Sequence, residues 1–108
     1  MTIRQGEVGK IIRVNAKFDM TSNSQLTLVF TKPNLALLSV NKASGVSAPG
    51  VNVTNPDTGE VLNANEYFEY TTQSGDLDQS GSWTVKGEYD DVTPKHFIGD
   101  TDRFTVLG

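Results

Sequence analysis

Apolar and polar side chains alternate along most of this chain. Ile12, Val14, Ala16 and Phe18 are interleaved with Ile11, Arg13, Asn15 and Lys17, and Leu26, Leu28 and Phe30 with Thr27, Val29 and Thr31. Phe68, Tyr70 and Thr72 stand against Tyr67, Glu69 and Thr71. The period of two returns at Trp83, Val85, Gly87 and Tyr89, against Thr84, Lys86 and Glu88, and at Phe104 and Val106, against Arg103 and Thr105. Successive side chains of a strand point to opposite faces, so each segment predicts a strand with one packed and one wet face. Ala36–Lys42 and Val51–Thr54 predict two weaker strands. No window carries a 3.6-residue apolar period over helical length.

Turn chemistry separates these segments. Thr21-Ser22-Asn23-Ser24, Lys32-Pro33-Asn34, Asn55-Pro56-Asp57-Thr58-Gly59 and Asp90-Asp91-Val92-Thr93-Pro94 are rich in residues that set φ, tolerate the left-handed region or bond their own backbone. Seven to eight short antiparallel strands with no helix between them predict an all-β, two-sheet sandwich. Ala43 to Asn65, rich in Ser, Gly, Ala, Pro and Asn, reads as a long connection holding a short strand or two. A chain of 108 residues without an internal repeat or linker reads as one domain, 1–108, with residues 1–9 as an N-terminal arm.

The stretch Asp76-Leu77-Asp78-Gln79-Ser80-Gly81 has the oxygen-rich look of a calcium loop. An EF-hand loop needs a bidentate Glu at its twelfth position, which here is Gly87, and two flanking helices. The alternative is a corner: Leu77 plugs the end of the core, Gly81 permits a tight turn, and Trp83 opens the inward face of the next strand. This arrangement resembles the corner leading into strand F of immunoglobulin-like sandwiches, and we take it as the expectation.

Charge and composition narrow the function. With no cysteine, the chain has neither disulfides nor thiolate metal ligands. A net charge of −4 speaks against general nucleic-acid binding, and no apolar run reaches the roughly 20 residues of a membrane span. No secretory leader is evident, which leads us to expect synthesis in a reducing cytoplasm. Six of the basic residues precede Pro56, against Glu7 and Asp19, while eleven acids follow, against Lys86, Lys95 and Arg103. His96 is the single histidine, so any histidine-based metal site or dyad would draw its other members from carboxylates. Asp90/Asp91 and Asp100/Asp102 lie in turn-rich sequence and read as solvated acids. We therefore expect no catalytic, cofactor-binding or metal residues. The apolar side chains without an assigned place are Phe97 and Ile98, read as a loop tip beside Lys95 and His96, and Ile3 and Val8 in the arm. Ile3, Val8, Lys95, His96, Phe97 and Ile98 are the expected partner interface.

The run Leu28-Val29-Phe30-Thr31-Lys32-Pro33-Asn34 resembles the strand and turn of small immunoglobulin-like domains in virion proteins of tailed phages. Such a domain begins the baseplate upper proteins of phages that infect Gram-positive bacteria. Thr58-Gly59-Glu60-Val61, Tyr70, Leu77, Gly81-Ser82-Trp83-Thr84-Val85 and Phe104-Thr105-Val106 match further landmarks of the group in order, over roughly Gly9 to Leu107. The chain differs in its longer Ala43–Gly50 loop, and we expect no coiled-coil or receptor-binding region after the domain. The resemblance implies an immunoglobulin-like fold, a place in the virion and partners among capsid, neck or tail proteins, with a homo-oligomer as a further arrangement. It implies an accessory protein with no chemistry of its own. The alternative is a surface- or carbohydrate-binding module for adsorption, for which Tyr67 and Phe97 are the candidate aromatic platforms.

Overall fold

A computed structural model describes residues 3–56, 58–93 and 95–108. Among these residues the strands are β1 (Ile3–Arg4), β2 (Ile11–Asn15), β3 (Asn23–Thr31), β4 (Leu37–Asn41), β5 (Val53–Thr54), β6 (Val61–Leu62), β7 (Tyr67–Thr71), β8 (Gly81–Asp91) and β9 (His96–Leu107). A single turn of 3-10 helix at Lys42–Ser44 is the only helical element described. The chain is all-β and sandwich-like, as the alternation predicts.

Five strands form the wide layer in the order β1-β9-β8-β3-β4, while β2 pairs with β7 and β5 with β6. All pairings are antiparallel except β1 with β9, where Ile3 lies beside Val106 in a parallel ladder. The all-β sandwich expected with about seven to eight antiparallel strands is thus present, with the parallel β1–β9 pairing as a detail the alternation does not show. The additional strands are the two-residue β1 and β6, too short to show a period in the sequence.

The inward faces follow the predicted alternation. Ile12 and Val14 of β2 and Phe68 and Tyr70 of β7 are buried in one core with Leu26, Leu28 and Phe30 of β3 and Trp83, Val85 and Tyr89 of β8. Phe30 is the hub of an aromatic group, with ring centroids 6.2 Å from Tyr70, 6.4 Å from Trp83 and 6.1 Å from Phe104, at angles from tilted to edge-on. Trp83 stacks on Phe104 at 5.8 Å, and its indole N–H donates to the Gln79 carbonyl at 3.0 Å. A buried indole needs such an acceptor, because an unmatched N–H in an apolar interior costs stability.

The corner before β8 is built as expected. Leu77 is buried, and Gly81 has φ +126°, a left-handed conformation that L side chains rarely adopt. Strand β2 stops sooner than the alternation suggests. Lys17 has φ +65°, and the N–H groups of Ala16 and Lys17 both donate to the Glu66 carbonyl, although Ala16 and Phe18 still pack against the core. Strand β9 begins sooner, at His96, so Asp100 and Asp102 are strand residues, as Asp90 and Asp91 are in β8. Of the turn residues named above, Asp57 and Pro94 lie outside the described residues.

Gly87 shows how closely the two layers approach. A Cβ at this position would lie 2.2 Å from Phe68 Cε2, well inside van der Waals contact, and that ring is fully buried. Gly87→Ala is therefore expected to destabilise the fold by about 1–3 kcal/mol, as overpacking does in a filled core. Chemical denaturation of the two proteins checks this, with an unchanged midpoint as the contrary result.

Candidate functional site

Phe97 and Ile98 do not form a loop tip; Lys95 lies in the turn and β9 begins at His96. The β8–β9 turn is held by Asp91, whose carboxylate accepts from the N–H and hydroxyl of Thr93 (2.9 and 2.6 Å) and from the Lys95 N–H (2.6 Å). The Thr93 hydroxyl, together with these backbone donors, holds the Asp91 carboxyl below its ordinary range. His96, Phe97 and Ile98 then enter β9 opposite Asp90, Tyr89 and Glu88. Phe97 turns inward, stacking on Tyr89 at 5.7 Å and lying 6.1 Å from Phe18, yet it remains 44% exposed. Ile98 is 60% exposed and shares the outward face with Glu88. Adjacent strand residues face opposite ways, so these two do not make one apolar anchor.

His96 is bracketed on that outward side. Its Nδ1 lies 2.5 Å from Asp90 Oδ1 and its Nε2 lies 3.2 Å from Glu88 Oε1, so the protonated ring donates to both carboxylates. The hydrogen bond to Asp90 raises its pKa above the ordinary value, and the charges of Asp90 and Glu88 add to this against the cost of desolvation.

The arm is bound to its own chain. Ile3 is 3% exposed and belongs to the core, which corrects its assignment to a partner surface. The Gln5 N–H donates to the Leu107 carbonyl (2.6 Å), Gly6 N–H to Leu77 (2.7 Å) and Gly9 N–H to Thr72 (2.8 Å). Val8 stays exposed. Because Ile3 pairs with Val106 at the far end of β9, the arm and Phe97 are about 30 Å apart along the strand, and they do not converge.

Tyr67 does not provide an aromatic platform. It is fully buried beneath the Ala43–Asn65 excursion, and its hydroxyl donates to the Val51 carbonyl at 3.0 Å. The two acids of the corner face different partners. Asp76 accepts from the Tyr70 hydroxyl and from the Gln73 N–H (2.8 Å), while Asp78 pairs with Lys32 Nζ at 2.9 Å. Burial, reinforced by the bond to Asp76, pushes the Tyr70 hydroxyl's pKa upward. Among the described residues, no three His, Cys, Asp or Glu side chains are grouped to hold a metal ion.

Neither a family model, nor a curated protein, nor a solved structure matches this chain.

Sequence reasoning missed the open side of the sandwich. Among the described residues the narrow layer has two strands, β2 and β7, and the inward face of β9 extends past this cover. Between β9 and β2 runs a groove. One part, of about 110 Å³, is mostly apolar, with Ile12, Val85 and Phe104 in its lining. The adjoining part, of about 250 Å³, is polar, lined by the acids Glu60, Asp100 and Asp102 and equally by the bases Arg13, Lys17 and Arg103. Asp102 pairs with Val85 and so occupies an inward position in the alternation. Burial raises its pKa, the charges of Glu60 and Asp100 raise it further, and Lys17 partly offsets them. The position of Asp102 in the run to Phe104 and Val106 was the available signal, hidden because the acids of residues 100–102 read as a turn.

Two outcomes are expected. Because the folded pKa of His96 is raised, its contribution to stability is fully present below the unfolded value of about 6.5 and is lost as pH rises through the folded value. An NMR titration should therefore place the imidazole midpoint above about 6.5 in the wild type, with a lower midpoint in Asp90→Asn. Equal midpoints would show that the bracket is not formed in solution. Calcium should leave the melting temperature unchanged, whereas a bound ion at a hundred times its dissociation constant would add about 2.7 kcal/mol. A calcium-dependent rise that disappears in Asp78→Ala would make the corner a metal site.

Proposed function

We propose that this chain is a non-enzymatic structural module of a tailed-phage virion, of immunoglobulin-like type, which docks on or decorates capsid, neck or tail proteins. The observation that carries the reading is a sheet edge left, among the described residues, without a strand neighbour beside half-exposed Phe97, on a domain whose corner acids and single histidine are engaged in local pairs. The order β1-β9-β8-β3-β4, with the first strand parallel to the last, supports the immunoglobulin-like assignment, as does the corner that seats Trp83. The resemblance of Phe30-Thr31-Lys32-Pro33-Asn34 and of Gly81-Ser82-Trp83-Thr84-Val85 to phage domains supplies the virion context. The adsorption-module reading draws less support, because burial of Tyr67 leaves Phe97 as the exposed aromatic candidate among those two.

Small interfaces concentrate their energy in a few anchors near an otherwise polar rim. Phe97→Asp and Ile98→Asp test each face of β9 separately. Because Phe97 also packs on Tyr89, Ile98→Asp is the variant expected to keep its full melting temperature. We expect at least one of the two, folded by circular dichroism, to be lost from purified particles, because a carboxylate at an anchor is costly to desolvate. Retention of both at normal copy number would move the interface away from β9. Absence of the wild-type protein from particles would end the virion reading.

A further inference from the structure

The β8–β9 hairpin is divided by its bulge. Lys86 pairs with Thr101 and Glu88 with Ile98, so Gly99 and Asp100 together stand opposite Gly87. Beyond the bulge, β8 is held on its other side by Thr27, Gln25 and Asn23 of β3. The start of β9, His96–Ile98, has β8 as its one strand neighbour among the described residues. Side chains fasten it on both faces, Phe97 on Tyr89 inward and His96 between Glu88 and Asp90 outward. The Asp91 N–H donates to the Lys95 carbonyl at 2.9 Å, and hydrogen-bonded pairs alternate along an antiparallel ladder. Tyr89 and Phe97 are therefore the next pair to exchange backbone bonds, and Asp90 and His96 form the closer, non-hydrogen-bonded pair between.

We propose that His96 is a proton-operated latch on the start of β9: the imidazolium clips residues 96–98 to β8, and the neutral ring lets them open about the bulge at Gly99. An imidazolium donates from both nitrogens, whereas a neutral ring has one N–H and one lone pair. The neutral ring thus turns a lone pair toward one of the two carboxylates, and Glu88 and Asp90, on one face of β8, lose the cation between them. Lys86 Nζ lies 4.0 Å from Glu88 and offsets part of that charge, but among the described residues Asp90 is ion-paired with His96 alone. Asp91 is tied to the Thr93 and Lys95 N–H groups, and Lys95 and Asp100 flank the segment along the chain. Gln25 and Thr27, opposite Asp90 and Glu88 on β3, are uncharged. On the inward face, burial together with the charges of Asp91 and Asp19 raises the pKa of Tyr89, whose hydroxyl keeps its proton while His96 titrates. The bond to Asp90 raises the pKa of His96, so the latch is closed below the ordinary value of about 6.5 and is released as pH climbs through the folded value. Release parts Phe97 from Tyr89 and Phe18. By reciprocity, a partner that draws Phe97 off Tyr89 weakens proton binding at His96. The latch stands independently of the virion reading.

Amide exchange of the whole 15N-labelled protein, corrected for the intrinsic dependence of exchange on pH, tests this. From about pH 5.5 to about pH 8.5, on either side of the ordinary histidine value, protection of the Tyr89 and Phe97 amides should fall at least about threefold, the scale of an exposed ion pair. At the upper pH both should exchange faster than the Leu28 amide in the middle of β3, as local opening requires. In His96→Gln, with its circular dichroism checked, their protection should be low and flat over the same range. In Asp90→Asn the fall should move to lower pH. A flat wild-type profile, the same fall in His96→Gln, an unmoved midpoint in Asp90→Asn, or Tyr89 and Phe97 amides as slow as Leu28 throughout would overturn the latch. Because this assay uses no virion, its failure is separable from failure of the particle-incorporation test.

Discussion

Trp83 joins three parts of the molecule through one side chain. Its ring is fully buried between Phe30 and Phe104, and its indole N–H is satisfied by the Gln79 carbonyl in the corner four residues earlier. The corner must therefore hold a particular shape, and it does so through Leu77 pushed into the core, Asp76 accepting from Tyr70, and Asp78 paired with Lys32 from the turn after β3. Lys32 Nζ also sits 5.9 Å over the Trp83 ring, so the same cation closes the corner and caps the aromatic. Hydrophobic burial supplies the driving force, while the polar contacts choose one arrangement for it.

The two layers are unequal, and the surface chemistry follows from that inequality. Five strands on one side face two on the other, with the β5–β6 hairpin placed apart from both ladders. Where the narrow layer covers the wide one, inward residues are apolar and aromatic. Where it does not, β9 carries Asp102 at an inward position, and a bulge between Lys86 and Glu88 shifts the register of the same hairpin. Both features are known ways of keeping an exposed strand from pairing indiscriminately.

Much of the core was legible in the sequence. Strand side chains alternate with a period of two, so Ile12, Val14, Leu26, Leu28, Phe30, Phe68, Tyr70, Trp83, Val85, Tyr89 and Val106 declare their inward direction without knowledge of the partner strand. Leu77, alone among polar residues, announced the corner. Less was legible of the candidate surface. Phe97 and Ile98 were found as apolar residues without a home, but a dipeptide between Pro94 and Gly99 reads equally as loop or strand.

Pairing is what decides such cases, and pairing is non-local. Ile3 is a core residue because Val106, at the other end of the chain, lies beside it, and Tyr67 is buried because Val51 and its neighbours fold over it. Asp102 faces a groove because the second layer stops at β2. By itself the sequence determined the period of each segment, the turn chemistry between segments and the residues able to fill a core, since these depend on neighbours within a few positions. The order of strands, the open side of the sandwich and the fate of every isolated apolar residue belonged to the tertiary structure, because they depend on which distant segments meet.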